Sequence, residues 1–374
     1  MAKLKSVPAA WRMIWKDKAR MMITVGGVGF TIMLMLFLLG VYGGVKAGST
    51  NYVLRSPAQI WICEKNSTNL LRSSSFLRAS LGEEIQKIRG VEKVTGILRV
   101  LATTQVRGKP ATLFVFGFDP DSRLSAPSVL AGGTSRIVPH GIIIDKAFAA
   151  KHGLTLGSSL QVKEKEFHVS GICEGTNAIV AQFVFMRLED AQALLGFPGV
   201  VSFYLVTLDD GLKDADFIGL IKQRFPALSV FTKEEFVENN LEEMKTGVLP
   251  VIWTIAFFGV LIGVTVITLM LFGGVLEKRE DFALLKAVGA GERYLASLVV
   301  KQALLYVLIG YLVGVILYLL ITPGLWKLVP EITLDLGPGS AALVLCVSLS
   351  MGVLGSWTPV RKLSRIFPTE VFRP

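Results

Sequence analysis

Three histidines, three cysteines and the aspartates that follow Gly117-Phe118 are the first side chains to consider for chemistry in this chain. His140, His152 and His168 show no metal-ligand spacing such as HExxH, and the chain contains no Gly-x-Ser-x-Gly or Walker A sequence. Asp119 and Asp121 follow Gly-Phe in a setting typical of a turn, where aspartates bond to nearby backbone. The sequence therefore predicts no catalytic residue, no metal site and no cofactor bound by this chain.

The cysteines leave two alternatives open. Cys346 lies in an apolar stretch, where it is most simply a small packing residue. Cys63 and Cys173 share one polar region and either form a disulfide or remain two buried free thiols. The sequence gives no Cα distance with which to decide between these two states.

Four apolar stretches divide the chain, whose residues are 52% hydrophobic and whose mean hydropathy is +0.56. Each stretch exceeds the roughly 20 residues that cross a bilayer as a helix. They predict a membrane α-helical protein with four transmembrane helices and a large extracytoplasmic α+β domain between the first two. The predicted divisions are an amphipathic cytoplasmic helix over 1–20, a first span over 21–45, the α+β domain with its stalk helix over 46–246, a second span over 247–276, a cytoplasmic segment over 277–296, a third span over 297–323, a short outer loop over 324–335, a fourth span over 336–360 and a cytoplasmic tail over 361–374.

The net charge of +10 is concentrated in three places: before the first span, after the second span and in the tail. The region 46–246 is close to neutral. By the positive-inside rule, both termini are cytoplasmic, and the chain is expected in the cell inner (cytoplasmic) membrane. Nothing in this distribution requires nucleic acid as a partner.

The leader favours contact with membrane lipids. Trp11, Ile14 and Trp15 recur at helical spacing, while Arg12 and Lys16 share the other side. Tryptophans opposed to cations at a membrane entry are typical of a helix in the interface plane. The alternative is a disordered basic leader.

The stalk helix is predicted by a capping box, in which Thr232 is the N-cap and Glu235 is three residues later. Apolar residues then keep helical spacing towards the second span; they are Val237, Leu241 and Met244. Turn-forming residues appear only at Gly247 and Pro250, so one helix is predicted from the domain into the bilayer. Earlier in the domain, the apolar spacing predicts a helix over 76–89.

The spans carry almost no ionisable side chains, which argues against a secondary transporter or a channel with a charged filter. Three spans contain Gly-x-x-x-Gly, at Gly40/Gly44, Gly259/Gly263 and Gly310/Gly314. Small residues four apart permit close helix contact, and simple tolerance of glycine in membrane helices is the alternative. Four spans rarely enclose a pathway alone, so a dimer is expected.

The loop after the second span has the sequence EKREDFALLKAVGA over 277–290. Phe282, Leu285 and Val288 or Gly289 repeat at helical spacing behind a charged beginning. The pattern indicates either a short amphipathic helix that docks a soluble partner or a solvated connector.

This loop resembles the ERxxEhxhhKAhGA segment of the FtsX/MacB-type (type VII) permeases of ABC transporters. The end of the chain, PVRKLSRIFPTEVFR over 359–373, is similar to the family's ending. The domain resembles the MacB-like periplasmic core through GVEKV over 90–94, VFGFDP over 115–120, IID over 143–145, HGL over 152–154 with Gly157, and FHVSGI over 167–172. Within the family, the chain is most similar to DevC-like permeases, which lack a fused ATPase.

The resemblance implies a non-catalytic permease subunit of an ABC exporter, paired with a second copy or a paralogous permease. A separate ATPase, which binds the ATP and Mg, would drive motion of the periplasmic domain, and a periplasmic adaptor and outer-membrane channel would complete the exporter. Related branches act as FtsX-like regulators of cell-wall hydrolases or as lipoprotein-releasing permeases, and these remain alternatives. A sensor is disfavoured because the cytoplasmic tail is short.

The resemblance also implies roles for particular residues. The ATPase-coupling residues would be Glu277, Arg279, Glu280, Phe282, Leu285, Lys286 and Gly289. The dimer contact would use Gly40, Gly44, Gly259 and Gly263 of the first two spans. The chain departs from the common pattern at Asp281-Phe282, where many members have Glu or Ile followed by Gly.

Overall fold

The computed structural model describes residues 18–106, 108–127, 130–163, 165–177, 182–247 and 249–365. The chain divides into two compact units. The helical unit comprises Met1–Gly43, Pro250–Gly324 and Leu334–Pro374, and the sheet domain comprises Gly44–Leu249 and Leu325–Thr333. Residues 1–17 of the predicted amphipathic helix and residues 366–374 of the predicted tail lie outside the described residues.

Four helices are long and apolar enough to cross a membrane in the part of the chain that the structure describes. They are α1 Lys18–Arg55, α7 Leu249–Glu277, α9 Glu292–Leu328 and α10 Pro338–Ser364. The shorter described helices are α2 Leu81–Gln86, α3 Lys146–His152, α4 Leu188–Leu195, α5 Asp214–Arg224, α6 Lys233–Gly247 and α8 Arg279–Ala287. The predicted fold class is confirmed, since a large α+β domain lies between the first and second of these four helices.

Helix α1 is longer than a membrane span. Its 38 residues extend about 57 Å at 1.5 Å per residue, against about 30 Å of hydrocarbon. It continues past the predicted end of the first span at Val45 because its last turns are buried in the sheet domain. Tyr52 and Val53, in those turns, are 3% and 0% exposed.

The helical unit packs its four long helices around one apolar cluster that includes Val28, Ile32, Ile267 and Met351. Glycines allow close approach between α1 and α9. A Cβ at Gly314 of α9 would lie 2.8 Å from the carbonyl oxygen of Gly29 in α1. Small residues therefore bring these two helices together, as is common for packing in membranes.

The strands of the sheet domain are β1 Ile60–Glu64, β2 Leu77–Arg78, β3 Val91–Val106, β4 Lys109–Phe118, β5 Leu130–Gly133, β6 Gly141–Asp145, β7 Ser159–Val162, β8 Lys165–Cys173, β9 Gln182–Arg187, β10 Val200–Val201, β11 Phe203–Leu208 and β12 Leu228–Thr232. Ten of them form a mixed sheet with the order β12-β1-β11-β3-β4-β9-β6-β8-β5, in which β7 pairs with β8. A second, two-stranded sheet pairs β10 with β2. Two of the pairs, β4 with β9 and β6 with β8, are parallel.

Strand β3 joins the two halves of the large sheet by changing its partner along its length. Its first half pairs with β11 as far as Ile97, which lies opposite Phe203. From Leu98, opposite Gly117, it pairs with β4. This 16-residue strand thus joins β11 and β4, which are distant in sequence, into a single sheet.

The two faces of the sheet have different side chains. Along β4, Phe114, Phe116 and Phe118 point into an aromatic cluster, while Leu113 and Val115 point into an aliphatic one. This alternation is the two-residue period of a strand. The aromatic face is the one that receives the end of α1 and the beginning of α6.

Candidate functional site

The histidines and acids of the sheet domain have local structural partners rather than a shared centre. His168 lies 3.2 Å from the hydroxyl of Ser159, His140 lies 4.0 Å from a carboxylate oxygen of Asp190, and the ring of His152 packs on Phe148. Among the described residues, no group of three or more His, Cys, Asp or Glu side chains could hold a metal ion.

The cysteines are free thiols, so the disulfide between Cys63 and Cys173 is not formed and the alternative of two buried thiols holds. The Sγ atom of Cys63 donates to the carbonyl oxygen of Ser67 at 3.1 Å. Burial, with a smaller contribution from the Glu64 carboxylate, raises the pKa of Cys63 to about 12, and burial also raises the pKa of Cys173. Such thiols stay protonated at neutral pH and are poor nucleophiles.

Aromatic rings join the ends of two helices inside the sheet domain. Trp61 of β1 stacks on Phe236 of α6, with ring centroids 4.9 Å apart and planes 13° apart. Tyr52 of α1 meets Trp61 edge-on at 6.2 Å. These three residues are called the aromatic anchor below. Because all three are at most 3% exposed, neither helix end can move without disturbing the same packed core.

Polar contacts fix the same two helix ends. The Tyr52 hydroxyl donates to the carbonyl oxygen of Ser125 at 2.8 Å. Lys233, the first residue of α6, donates from Nζ to the carbonyl oxygen of Ser56, just after α1, at 2.8 Å. Asn240, which is 1% exposed, accepts from the backbone of Leu70 at 2.8 Å. These bonds orient α1 and α6 as well as holding them.

The beginning of α6 has both hydrogen bonds of a capping box. The backbone of Thr232 donates to the Glu235 carboxylate at 3.0 Å, and the backbone of Glu235 donates to the Thr232 hydroxyl at 3.2 Å. Val237 packs at the edge of the aromatic cluster, and Leu241 is half-buried. The side chain of Met244 lies outside the described part of the chain.

The junction of α6 with the second long helix is at Val248, which lies outside the described residues. Helix α6 ends at Gly247 and α7 begins at Leu249. The prediction of one continuous stalk therefore stays a prediction. Helix α1, in contrast, runs without a break from Lys18 to Arg55.

The glycines of the repeated small-residue motifs make contacts within one chain. Gly40 lies against the Tyr318 hydroxyl and Gly44 against the carbonyl oxygen of Thr333. Gly259 and Gly263 approach Thr31 of α1. All four glycines are buried inside the single chain. Their predicted role in contact with a second copy stays a prediction.

Helix α8 has one face buried in the helical unit and one face exposed. Phe282 and Ala283 are 2% and 0% exposed, whereas Leu284, Leu285 and Val288 are 54%, 39% and 82% exposed. Phe282, one of the expected ATPase-coupling residues, is turned into the helical unit, where its ring holds α8 onto the long helices; its coupling role stays a prediction. We call Leu284, Leu285 and Val288 the apolar patch of α8.

The charged residues of the segment 277–290 differ in accessibility. Glu280 and Arg279 are exposed, and Glu277 is paired with Arg20 of α1. Gly289 adopts a left-handed conformation with φ of +97°, just after the end of α8. These residues frame the apolar patch.

Lys286 points inwards and binds the end of α10. Its Nζ donates to the carbonyl oxygens of Leu363 and Ser364, at 3.1 Å each, and lies 3.6 Å from the Glu292 carboxylate. The side chain is 10% exposed. A cation at the C-terminal carbonyls of a helix is favourable because those carbonyls carry the negative end of the helix dipole. Lys286 therefore fixes α8 to α10 instead of presenting its charge outwards.

Several residues that position these features were not predicted from the sequence. Tyr52 could have been found, since Val45, Ser49 and Tyr52 continue the helical spacing of the first span beyond Lys46. Leu284 and Val288 could have been assigned to the outward face only once Phe282 was known to be buried. The partner of Trp61 carried no signal in the sequence, because Phe236 is distant along the chain.

Two protein-family descriptions match the chain. A MacB-like periplasmic core domain matches residues 21–224, and an FtsX-like permease C-terminal domain matches residues 253–368. The first match includes most of α1 and of the sheet domain, and the second includes most of α7 and all of α8 to α10.

Relatives with similar sequences are ABC transporter permeases. An uncharacterised ABC transporter permease of Mycobacterium bovis is 22% identical over 367 residues, which cover 97% of this chain and 98% of that protein. One of Methanocaldococcus jannaschii is 25% identical over 237 residues, covering 59% of this chain and 58% of that protein. The macrolide export ATP-binding/permease protein MacB of Agrobacterium fabrum is 26% identical over 182 residues, covering 47% of this chain and 28% of that protein. Among solved structures, the periplasmic region of MacB from Actinobacillus actinomycetemcomitans matches 50% of this chain and 94% of its own, with 12% identity and a TM-score of 0.39.

Proposed function

This chain belongs to the MacB- and FtsX-type permeases of ABC transporters, and we propose that it converts ATP hydrolysis by a separate ATPase subunit into motion of its sheet domain. Permeases of ABC transporters work with ATPases and generally as dimers. In this proposal the chain itself binds neither ATP nor Mg, and a second copy or a paralogous permease completes the pair.

Helix α1 is the observation that carries the proposal. It is one uninterrupted helix that begins in the helical unit and ends at the aromatic anchor of the sheet domain. A helix resists bending because every interior residue is held by backbone hydrogen bonds. A displacement along α1 is therefore delivered to Tyr52 and Trp61, and from there to Phe236 at the beginning of α6.

The apolar patch of α8 is the proposed ATPase-docking surface. Leu284, Leu285 and Val288 are exposed beside Glu280, and Phe282 anchors the opposite face of the helix. Exposed apolar side chains on a helix that is fixed to a scaffold can insert into a groove on a partner protein. Because Lys286 also ties α8 to α10, force applied at the patch reaches the long helices.

The charge distribution supports the topology proposed here. Positive residues cluster near the ends of the long helices on the side that carries α8, so we assign that side and both termini to the cytoplasm. The sheet domain then faces the periplasm from the inner membrane. There we propose a periplasmic adaptor and an outer-membrane channel as partners in efflux.

Affinity purification from native membranes tests the docking surface. We expect Leu285→Asp to lose the co-purifying ATPase, and about 30-fold of the associated MgATP hydrolysis, because a buried anchor contributes about 2 kcal/mol to an interface. Leu220→Asp is the matched control, since Leu220 is 40% exposed on α5 of the sheet domain and Leu285 is 39% exposed. Both variants should insert into the membrane as the wild type does.

The same purification distinguishes the branches of the family. Recovery of an adaptor with the wild-type chain supports efflux, whereas recovery of a cell-wall hydrolase or a lipoprotein carrier would replace efflux by regulation or lipoprotein release. Retention of the ATPase by Leu285→Asp at the level of Leu220→Asp contradicts the docking surface.

A further inference from the structure

The last turn of α9 and the residues that follow it lie on the sheet domain instead of forming a free connector. They are Leu325–Thr333, called the return segment below, and they belong to the sheet domain by their contacts. The Glu331 carboxylate accepts from Nζ of Lys151 at 2.6 Å and from Nε2 of Gln182 at 2.9 Å. The Glu331 side chain is 22% exposed, so this carboxylate is largely removed from water.

The backbone of the return segment is bound as well. Nδ2 of Asn177 donates to the carbonyl oxygen of Glu331 at 2.6 Å and lies 3.4 Å from the Thr333 hydroxyl. Asn177 and Gln182 are 2% and 3% exposed. Buried amides require hydrogen-bond acceptors, and here the return segment supplies them. The sheet domain therefore binds both the Glu331 carboxylate and the backbone of the return segment.

A second layer of contacts holds the site in place. Asp145, at the end of β6, accepts from the Thr176 hydroxyl at 2.7 Å and from the backbone of Ala147 at 2.8 Å. Thr176 immediately precedes Asn177, so the carboxylate fixes the residue that binds the return segment. On the other side, Gly44 of α1 touches the carbonyl oxygen of Thr333, where a Cβ would overlap that oxygen.

We propose that the return segment is a third attachment of the sheet domain, with Glu331 as its positioning residue. The return segment contains the last turn of α9 and leads to α10, so movement of these helices reaches the sheet domain at Lys151, Asn177 and Gln182 without passing through α1 or α6. This role rests on the proposed function. The segment stays attached throughout the ATP cycle, since its contacts combine an ion pair, buried amides and close backbone packing.

Hydrogen exchange on the full chain in nanodiscs tests the attachment itself. Glu331→Ala should speed exchange of the return segment about tenfold, and Lys151→Met should do so to a smaller extent, because each removes a charge-assisted hydrogen bond. Glu189→Ala is the matched control, since Glu189 pairs with Arg187 on the same domain and is well exposed. Equal exchange in Glu331→Ala and Glu189→Ala overturns the attachment.

Cross-linking tests its role in the complex with the co-purified ATPase. In a Cys346→Ser background, Lys151→Cys with Glu331→Cys breaks the ion pair, and a short, reducible bridging reagent restores the link covalently. We expect the MgATP-dependent change in exchange of the sheet domain to fall about fivefold or more in the unbridged variant and to return on bridging. A full response without the bridge, or its loss on bridging, overturns the role. A wild-type complex with no MgATP-dependent change would instead refute the proposed function and leave the attachment to be judged by the first test.

Discussion

Replacing Phe236 by alanine tests whether the aromatic anchor holds α6, as distinct from its contribution to the stability of the whole sheet domain. Phe236 is fully buried and stacks on Trp61 at 4.9 Å, so Phe236→Ala removes both core volume and a ring pair. Loss of a buried phenylalanine costs about 3–5 kcal/mol, of which the ring pair contributes about 0.5–1.5 kcal/mol. Phe236→Leu keeps most of the apolar volume and should cost about 1–1.5 kcal/mol.

The control is Phe148→Ala, because Phe148 is also fully buried but packs on the aliphatic face of the sheet. Both alanine variants should lower the free energy of unfolding of the sheet domain by similar amounts. Only Phe236→Ala should detach the beginning of α6. A local opening made about 4 kcal/mol easier speeds amide exchange there by roughly a thousandfold, since each 1.4 kcal/mol is a factor of ten.

The assay is hydrogen exchange with mass spectrometry on the full chain in nanodiscs, followed by MgATP hydrolysis of the complex with its co-purified ATPase. We expect faster exchange in residues 233–242 for Phe236→Ala and no local change there for Phe148→Ala. Equal exchange of α6 in the two variants would refute the idea that the aromatic anchor holds this helix.

Three further predictions concern the contacts around the anchor and the cytoplasmic helix. Lys286→Met should speed amide exchange at the end of α10 by about tenfold, because the Leu363 and Ser364 carbonyls lose a charged donor. Lys245→Met, which removes an exposed ion pair, should leave that exchange unchanged. Equal effects of the two changes would contradict the capping role of Lys286. Burial raises the pKa of Asp145, so the folded state binds the proton of this carboxyl more tightly than the unfolded state does. The free energy of unfolding should therefore fall as pH rises from about 4, the pKa in the unfolded state, through the raised pKa of the folded state. Asp145→Asn should remove this fall in thermal unfolding measured across pH, and a fall that persists would refute the assignment. Gly44→Ala should lower the free energy of unfolding by about 1–3 kcal/mol, because the added Cβ overlaps the Thr333 carbonyl. Gly219→Ala, on α5 with open space around it, should leave the free energy of unfolding unchanged or raise it. The reverse order of these two effects would contradict the packing of Gly44 on Thr333.

Much of the architecture could be predicted because it follows from local pattern. The four long helices follow from apolar length alone, and the capping box at Thr232 and Glu235 is a four-residue signal. The sequence underestimates the length of α1, because the apolar stretch, and with it the predicted first span, ends at Val45 before Lys46. A charged residue ends the apolar stretch without ending the helix, which continues to Arg55.

Features that depend on tertiary contact could not be predicted from the sequence. The helix predicted over 76–89 is wrong in its first part, since Leu77–Arg78 pairs with Val200–Val201 and only Leu81–Gln86 is helical. In α8, the spacing that grouped Phe282 with Leu285 gave no indication of which side the long helices cover. The partners of Glu331 lie more than a hundred residues away along the chain, so no local pattern could have revealed them.

The central claim is that ATP hydrolysis by a bound partner moves the sheet domain. The most direct test places a spin label at Leu220→Cys on α5, in a Cys346→Ser background in which Cys63 and Cys173 are buried and remain unreactive. Pulsed electron paramagnetic resonance then gives the distance between the spin labels of the two copies of the chain in the purified complex. We predict a distance distribution that shifts on addition of MgATP and returns after hydrolysis. An unchanged distribution while the complex hydrolyses ATP would contradict the claim.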